Sequence, residues 1–160
     1  MAIDKITRLS LKVLLGFLLC WHSSGFSQNE NARTLFAENK TAILQIRVID
    51  VTSGSKSVIG SGFVINAEGL IATNYHVIQM AASKPEQYRI EYLTADDETG
   101  DLQLLDVDVI NDLALVSATD LDTQQLPLAI TEPPIGVPVF ALGNPLDLGL
   151  TVVPGTYNGI

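Results

Sequence analysis

From Ala42 onward the chain reads as a succession of short strands. Ile43-Leu44-Gln45-Ile46-Arg47-Val48-Ile49 alternates apolar and polar positions for most of its length, which predicts a half-buried strand. A Gly/Ser turn over Thr52–Ser57 leads into a second strand, Val58–Ile65. That strand contains Gly60 and Gly62, which strands tolerate where they bend or where backbones approach closely. Asn66-Ala67-Glu68-Gly69 is a hairpin loop in which Gly69 supplies a positive φ, and Leu70–Thr73 is the returning strand. Tyr88–Thr94, Leu102–Val109 and Leu113–Val116 follow as strands, with Asp96–Gly100 an acidic, solvated loop. A Pro-rich linker near Leu126–Pro138 precedes Val139–Leu142 and Thr151–Tyr157, which open a new sheet. No internal repeat of roughly 20–50 residues is present. Many short strands separated by Gly, Asn and Asp turns predict an all-β barrel or sandwich.

The N-terminus follows a different pattern. Lys5, Arg8 and Lys12 precede the apolar run Val13–Trp21, and the small, polar stretch His22–Ser27 comes next. A positive start, a short apolar core and small residues before a cut predict a secretory signal peptide over residues 1–27. Cleavage is expected after Ser27, with Gly25 as the alternative. The apolar run is shorter than the roughly 20 residues a transmembrane helix needs. Bulky Phe17, Leu18 and Leu19 before Cys20 argue against a lipid-modified cysteine. Residues 28–41 form a polar N-terminal segment with a short helix expected around Thr34–Asn39. Residues 42–125 form the first β unit, and residues 126–160 the linker and the opening of a second.

Composition narrows the function classes. With 160 residues, 47% apolar and 17% charged, the chain can bury a core. Nine Lys+Arg against eighteen Asp+Glu give a net charge of −9. Loss of residues 1–27 would leave six against seventeen, or −11. No Lys or Arg follows Arg89, so the second half is acidic throughout. A nucleic-acid backbone and an anionic membrane both select basic faces, and neither is expected as a partner of the exported chain. The single cysteine, inside the signal segment, excludes a disulfide framework and a cysteine-rich zinc module. The exported chain would keep one histidine, His76, too few soft ligands for a metal site, and no cofactor is expected. The acidic loop Asp96–Asp101 lacks the alternating ligands of an EF-hand.

Two residues stand out for chemistry. His76 lies where the strand ending at Thr73 gives way to polar residues, and Asp112 immediately precedes the apolar strand Leu113–Val116. Each alone reads as an ordinary structural or turn residue. Together with their surroundings they read otherwise. Gly60-Ser61-Gly62-Phe63, a tight hairpin, Thr73-Asn74-Tyr75-His76-Val77, and Asp112-Leu113-Ala114-Leu115-Val116 occur in that order. Ala141-Leu142-Gly143-Asn144-Pro145 and Thr151-Val152-Val153-Pro154-Gly155 follow. This series resembles the trypsin-like serine peptidases of the HtrA/Deg type.

The resemblance spans about residues 34–160 and implies an all-β, trypsin-like double β-barrel, with the first barrel complete and the second only begun. It implies a serine endopeptidase acting on proteins or peptides, unfolded proteins among them. His76 would be the general base, and Asp112 a buried carboxylate bonded to Nδ1. The family's nucleophile sits in Gly-x-Ser-Gly-Gly, and residues 1–160 contain no such motif. Ser61 belongs to a framework strand upstream of the base, so the chain carries base and orienter and no nucleophile. The alternative reading is a secreted, non-catalytic β-barrel binding module built on the same framework.

Overall fold

The computed structural model describes residues 24–144 and 149–159. Most of the expected signal segment lies outside that range. Residues from Phe36 onward form one compact unit. A helix, α1 (Ser24–Asn39), opens the described chain and includes both Gly25 and Ser27. It is longer than the short helix expected around Thr34–Asn39, and the extra turns carry no apolar stripe from which a helix is read in the sequence. A single turn of 3₁₀-helix, Lys40–Ala42, leads into the sheet.

Eight strands follow: β1 (Ile43–Asp50), β2 (Lys56–Val64), β3 (Leu70–Thr73), β4 (Tyr88–Leu93), β5 (Thr99–Asp108), β6 (Leu113–Ala118), β7 (Pro138–Gly143) and β8 (Thr151–Thr156). The first six close into an antiparallel barrel in the order β1-β2-β3-β6-β5-β4, with β4 returning to β1. β7 and β8 form a separate antiparallel pair. The architecture is all-β, with one barrel closed and a second sheet begun.

The barrel interior collects the alternate apolar side chains of its strands. Leu44, Ile46 and Val48 of β1 meet Val64, Ile71, Ile90, Leu102, Ala114 and Val116, all buried. Strand β1 is buried on both faces rather than half-buried, since Ile43, Gln45 and Ile49 are covered as well. The Gln45 carboxamide accepts a hydrogen bond from Arg47 Nε, which removes the cost of burying an unpaired amide. On the neighbouring strands, Arg89 donates to Asp101 at 2.7 Å and pairs with Glu91 at 2.8 Å. Asp101 and Glu91 are direct cross-strand partners, so the guanidinium offsets a like-charge pair.

The β2–β3 hairpin closes at Gly69, whose φ of 77° lies in the left-handed region that favours glycine. A β-carbon there would sit 2.6 Å from the Ala118 carbonyl oxygen. Asn66 Oδ1 accepts the Leu70 N–H at 2.8 Å and completes the turn.

Two further differences from the sequence reading affect the site. The loop expected over Asp96–Gly100 is shorter, since Thr99 and Gly100 already pair with Leu93 and Tyr92 in the ladder. More important, the residues after β3 form a helix, α2 (Tyr75–Ser83), where the sequence reading placed only the end of a strand. Its buried side chains, Val77, Ile78 and Ala81, fall on one face and pack into the barrel core. Among the described residues no helix is long and apolar enough to cross a membrane.

Candidate active site

The register of two strands brings the candidate residues together. Thr73, the last residue of β3, is the partner of Ala114 in β6. Residues just after Thr73 therefore lie beside residues just before Ala114. Asn74 to His76 and Asp112 meet there, at the rim of the barrel where α2 begins. Asp112 has φ 55°, a left-handed conformation that Asp adopts more readily than most non-glycine residues.

His76 Nδ1 lies 2.7 Å from Asp112 Oδ2. The backbone N–H of His76 donates to the other carboxylate oxygen, Oδ1, at 2.9 Å. That amide belongs to the first turn of α2, where N–H groups have no partner within the helix. Asp112 thus caps α2 from another element and holds the imidazole with the same carboxylate. Its charge lies at the positive end of the helix dipole. The chain holds the aspartate in return, through Tyr75 N–H to the Asp112 carbonyl at 3.2 Å. The Asn74 carboxamide nitrogen adds contacts of 3.0 Å to that carbonyl and 3.3 Å to Oδ2.

These bonds fix the electrostatics. The His76 amide, then the His76 ring, hold the Asp112 carboxyl below its ordinary value of 3.8, opposed by desolvation and aided by the ring's charge and by Asn74. An ionised carboxylate accepts hydrogen bonds only, so in neutral His76 the proton sits on Nδ1 and the lone pair on Nε2. Both side chains are open to solvent, His76 at 67% and Asp112 at 44% of full exposure. The carboxylate is thus part-exposed, not buried as the resemblance implies. Asp112 stands in the turn between β5 and β6, where its contacts with Asn74 and the first turn of α2 cover only part of the carboxylate.

Ser61 has a different employment. Its hydroxyl oxygen accepts the backbone N–H of Asn144 at 2.7 Å and links β2 to the residue after β7. Its carbonyl accepts the Thr73 hydroxyl at 2.8 Å. Both bonds are framework contacts. Among the described residues no group of three or more His, Cys, Asp or Glu side chains is arranged to hold a metal ion.

Asn74 is the site residue that the sequence reading did not single out. Its signal was its place directly after a strand and directly before an apolar run, where Asn starts helices.

A closed antiparallel barrel with a second sheet begun beside it defines the class, a trypsin-like all-β fold. The family described as "Trypsin-like peptidase domain" matches residues 60–160, and the chain belongs to it. Similar curated proteins are of the HtrA/Deg type. Protease Do-like 1 of Arabidopsis thaliana chloroplasts is 30% identical over 141 residues, covering 79% of this chain and 30% of that protein. A probable periplasmic serine endoprotease, DegP-like, from Rickettsia conorii is 36% identical over 128 residues, covering 75% of this chain and 23% of that protein. Among solved structures, a serine endoprotease from Yersinia pestis superposes with a TM-score of 0.69 at 25% identity, covering 80% of this chain and 44% of that one. Deg5 superposes with a TM-score of 0.68 at 26% identity, covering 83% and 65%. The chain thus spans less than a third of the length of these two curated relatives.

Proposed function

We propose that this chain carries the base and orienter of an HtrA/Deg-type serine endopeptidase. The observation that supports the reading is the double grip of Asp112 on His76, at 2.7 Å to the ring and 2.9 Å to the amide. His76 Nε2 takes the proton of a serine hydroxyl as its oxygen attacks a peptide carbonyl. Asp112 stabilises the imidazolium so formed, and the same proton passes to the leaving amine. The serine belongs to a Gly-x-Ser-Gly-Gly segment, which residues 1–160 do not contain. Protein or peptide substrates, unfolded proteins among them, follow from the same reading. So does export with loss of residues 1–27, in keeping with a periplasmic DegP-like relative. Residues 42–125 are then the first barrel domain, and 126–160 the linker and start of the second.

The test is a chimera in which this chain replaces the matching segment of the Rickettsia conorii relative. Cleavage of an unfolded protein substrate is expected, together with labelling by a serine-directed phosphonate. Both should be lost on His76→Ala and reduced on the order of 10⁴-fold on Asp112→Asn. A folded chimera that binds substrate without cleaving it would reject the reading in favour of the binding module.

A further inference from the structure

We propose that Asn74 is a positioning residue: its carboxamide locks Asp112 into the backbone conformation and rotamer in which that carboxylate orients His76. The role rests on the His76–Asp112 pair acting as base and orienter.

Asn74 precedes the first residue of α2 with extended backbone angles, φ −83° and ψ 145°, the conformation of a helix N-cap. An Asn there ordinarily turns its side-chain oxygen inward to accept an amide of the first turn. Asn74 makes no such bond. Its nitrogen faces outward instead, to the Asp112 carbonyl at 3.0 Å and Oδ2 at 3.3 Å. The vacant capping duty falls to Asp112 Oδ1, which accepts the His76 N–H at 2.9 Å. Two residues have exchanged roles.

The exchange demands an amide. Both atoms facing Asn74 are acceptors, so only the nitrogen end of the carboxamide can meet them. Serine, threonine and aspartate cap helices as well as asparagine does, but none supplies two N–H donors. The contacts restrain two freedoms of Asp112. The bond to its carbonyl, shared with Tyr75 N–H, holds the left-handed backbone. The bond to Oδ2 stops the carboxylate from rotating away from Nδ1.

The experiment is the tautomeric state of His76 in the full chain. It is read from long-range ¹H–¹⁵N spectra of the imidazole nitrogens above the ring's titration, with His22 assigned through His22→Gln. The wild-type ring is expected mainly as the Nδ1–H form. Asn74→Ala and Asn74→Asp should each raise the Nε2–H fraction severalfold, and Asn74→Ser should fall between. A pure capping role would spare Asn74→Asp, so a wild-type spectrum in that variant overturns the proposal. An unchanged spectrum in Asn74→Ala overturns it too. In an Asp112→Asn background the Asn74→Ala effect should vanish, and persistence there counts against the proposal. If the wild-type ring is already mainly Nε2–H and indifferent to Asp112→Asn, the base-and-orienter reading fails as well, a pattern distinct from failure of Asn74 alone.

Discussion

Gly60 in β2 faces Val77 of α2 so closely that a β-carbon on Gly60 would lie 2.4 Å from Val77 Cγ2. The helix that carries His76 can settle on the barrel because residue 60 has no side chain. Gly60→Ala is therefore expected to destabilise the fold by about 1–3 kcal/mol through overpacking. Val77→Ala in the same chain should recover part of that loss. Denaturant midpoints of the two single variants and the double variant measure the coupling. Additivity within about 0.5 kcal/mol would show that the two residues do not press on each other.

Acid should weaken the fold through Asp112. Its folded-state pKa lies below the unfolded value of 3.8, because the His76 amide and ring bond to its charged form. Such a group binds fewer protons folded than unfolded. Its stabilisation is present above pH 3.8 and is lost as pH falls through the lower, folded value. Asp50 and Asp108, held low chiefly by hydrogen bonds from Ser53 and Asn111, act in the same direction. Melting temperatures followed from neutral pH into acid should fall in this window. Asp112→Asn should show a shallower fall, and an identical slope would remove Asp112 from the explanation.

Ser61→Ala separates a framework hydroxyl from a nucleophile. Loss of the acceptor for Asn144 N–H should cost about 0.5–1.5 kcal/mol and speed amide exchange at Asn144. Incubation of the wild-type chain with a serine-directed phosphonate should leave it unlabelled. A covalent adduct that disappears in Ser61→Ala would show that the hydroxyl has a chemical role.

Export gives the fourth expectation. Intact mass of the protein recovered from the extracytoplasmic fraction should place its N-terminus at Gln28, or at Phe26 for the alternative cut. Full-length protein retained in the cytoplasm would reject the signal-peptide reading of residues 1–27.

The strands were legible because their period of two survives local irregularity. The expected strand Leu70–Thr73 coincides with β3, and the neighbouring strands differ only at their ends. The His–Asp relationship was legible only through motif order, since nothing in local pattern ties residue 76 to residue 112. The helix beneath His76 was not legible. Tyr-His-Val-Ile-Gln-Met-Ala-Ala-Ser has one apolar cluster, too short to separate a helical period from a strand running on. The exposure of Asp112 was missed for a related reason, since burial depends on what covers a turn and not on the turn's own residues.

The double grip of Asp112 on His76 has a mechanical consequence. Carboxylate, ring, side-chain carbons and main-chain amide form a small closed linkage that begins and ends on one residue. The direction in which Nε2 points is therefore set against the histidine's own peptide plane. Slippage of β6 along β3 would draw the Asp112 carboxylate away from the ring and the amide at once, so pairing and aim are lost together.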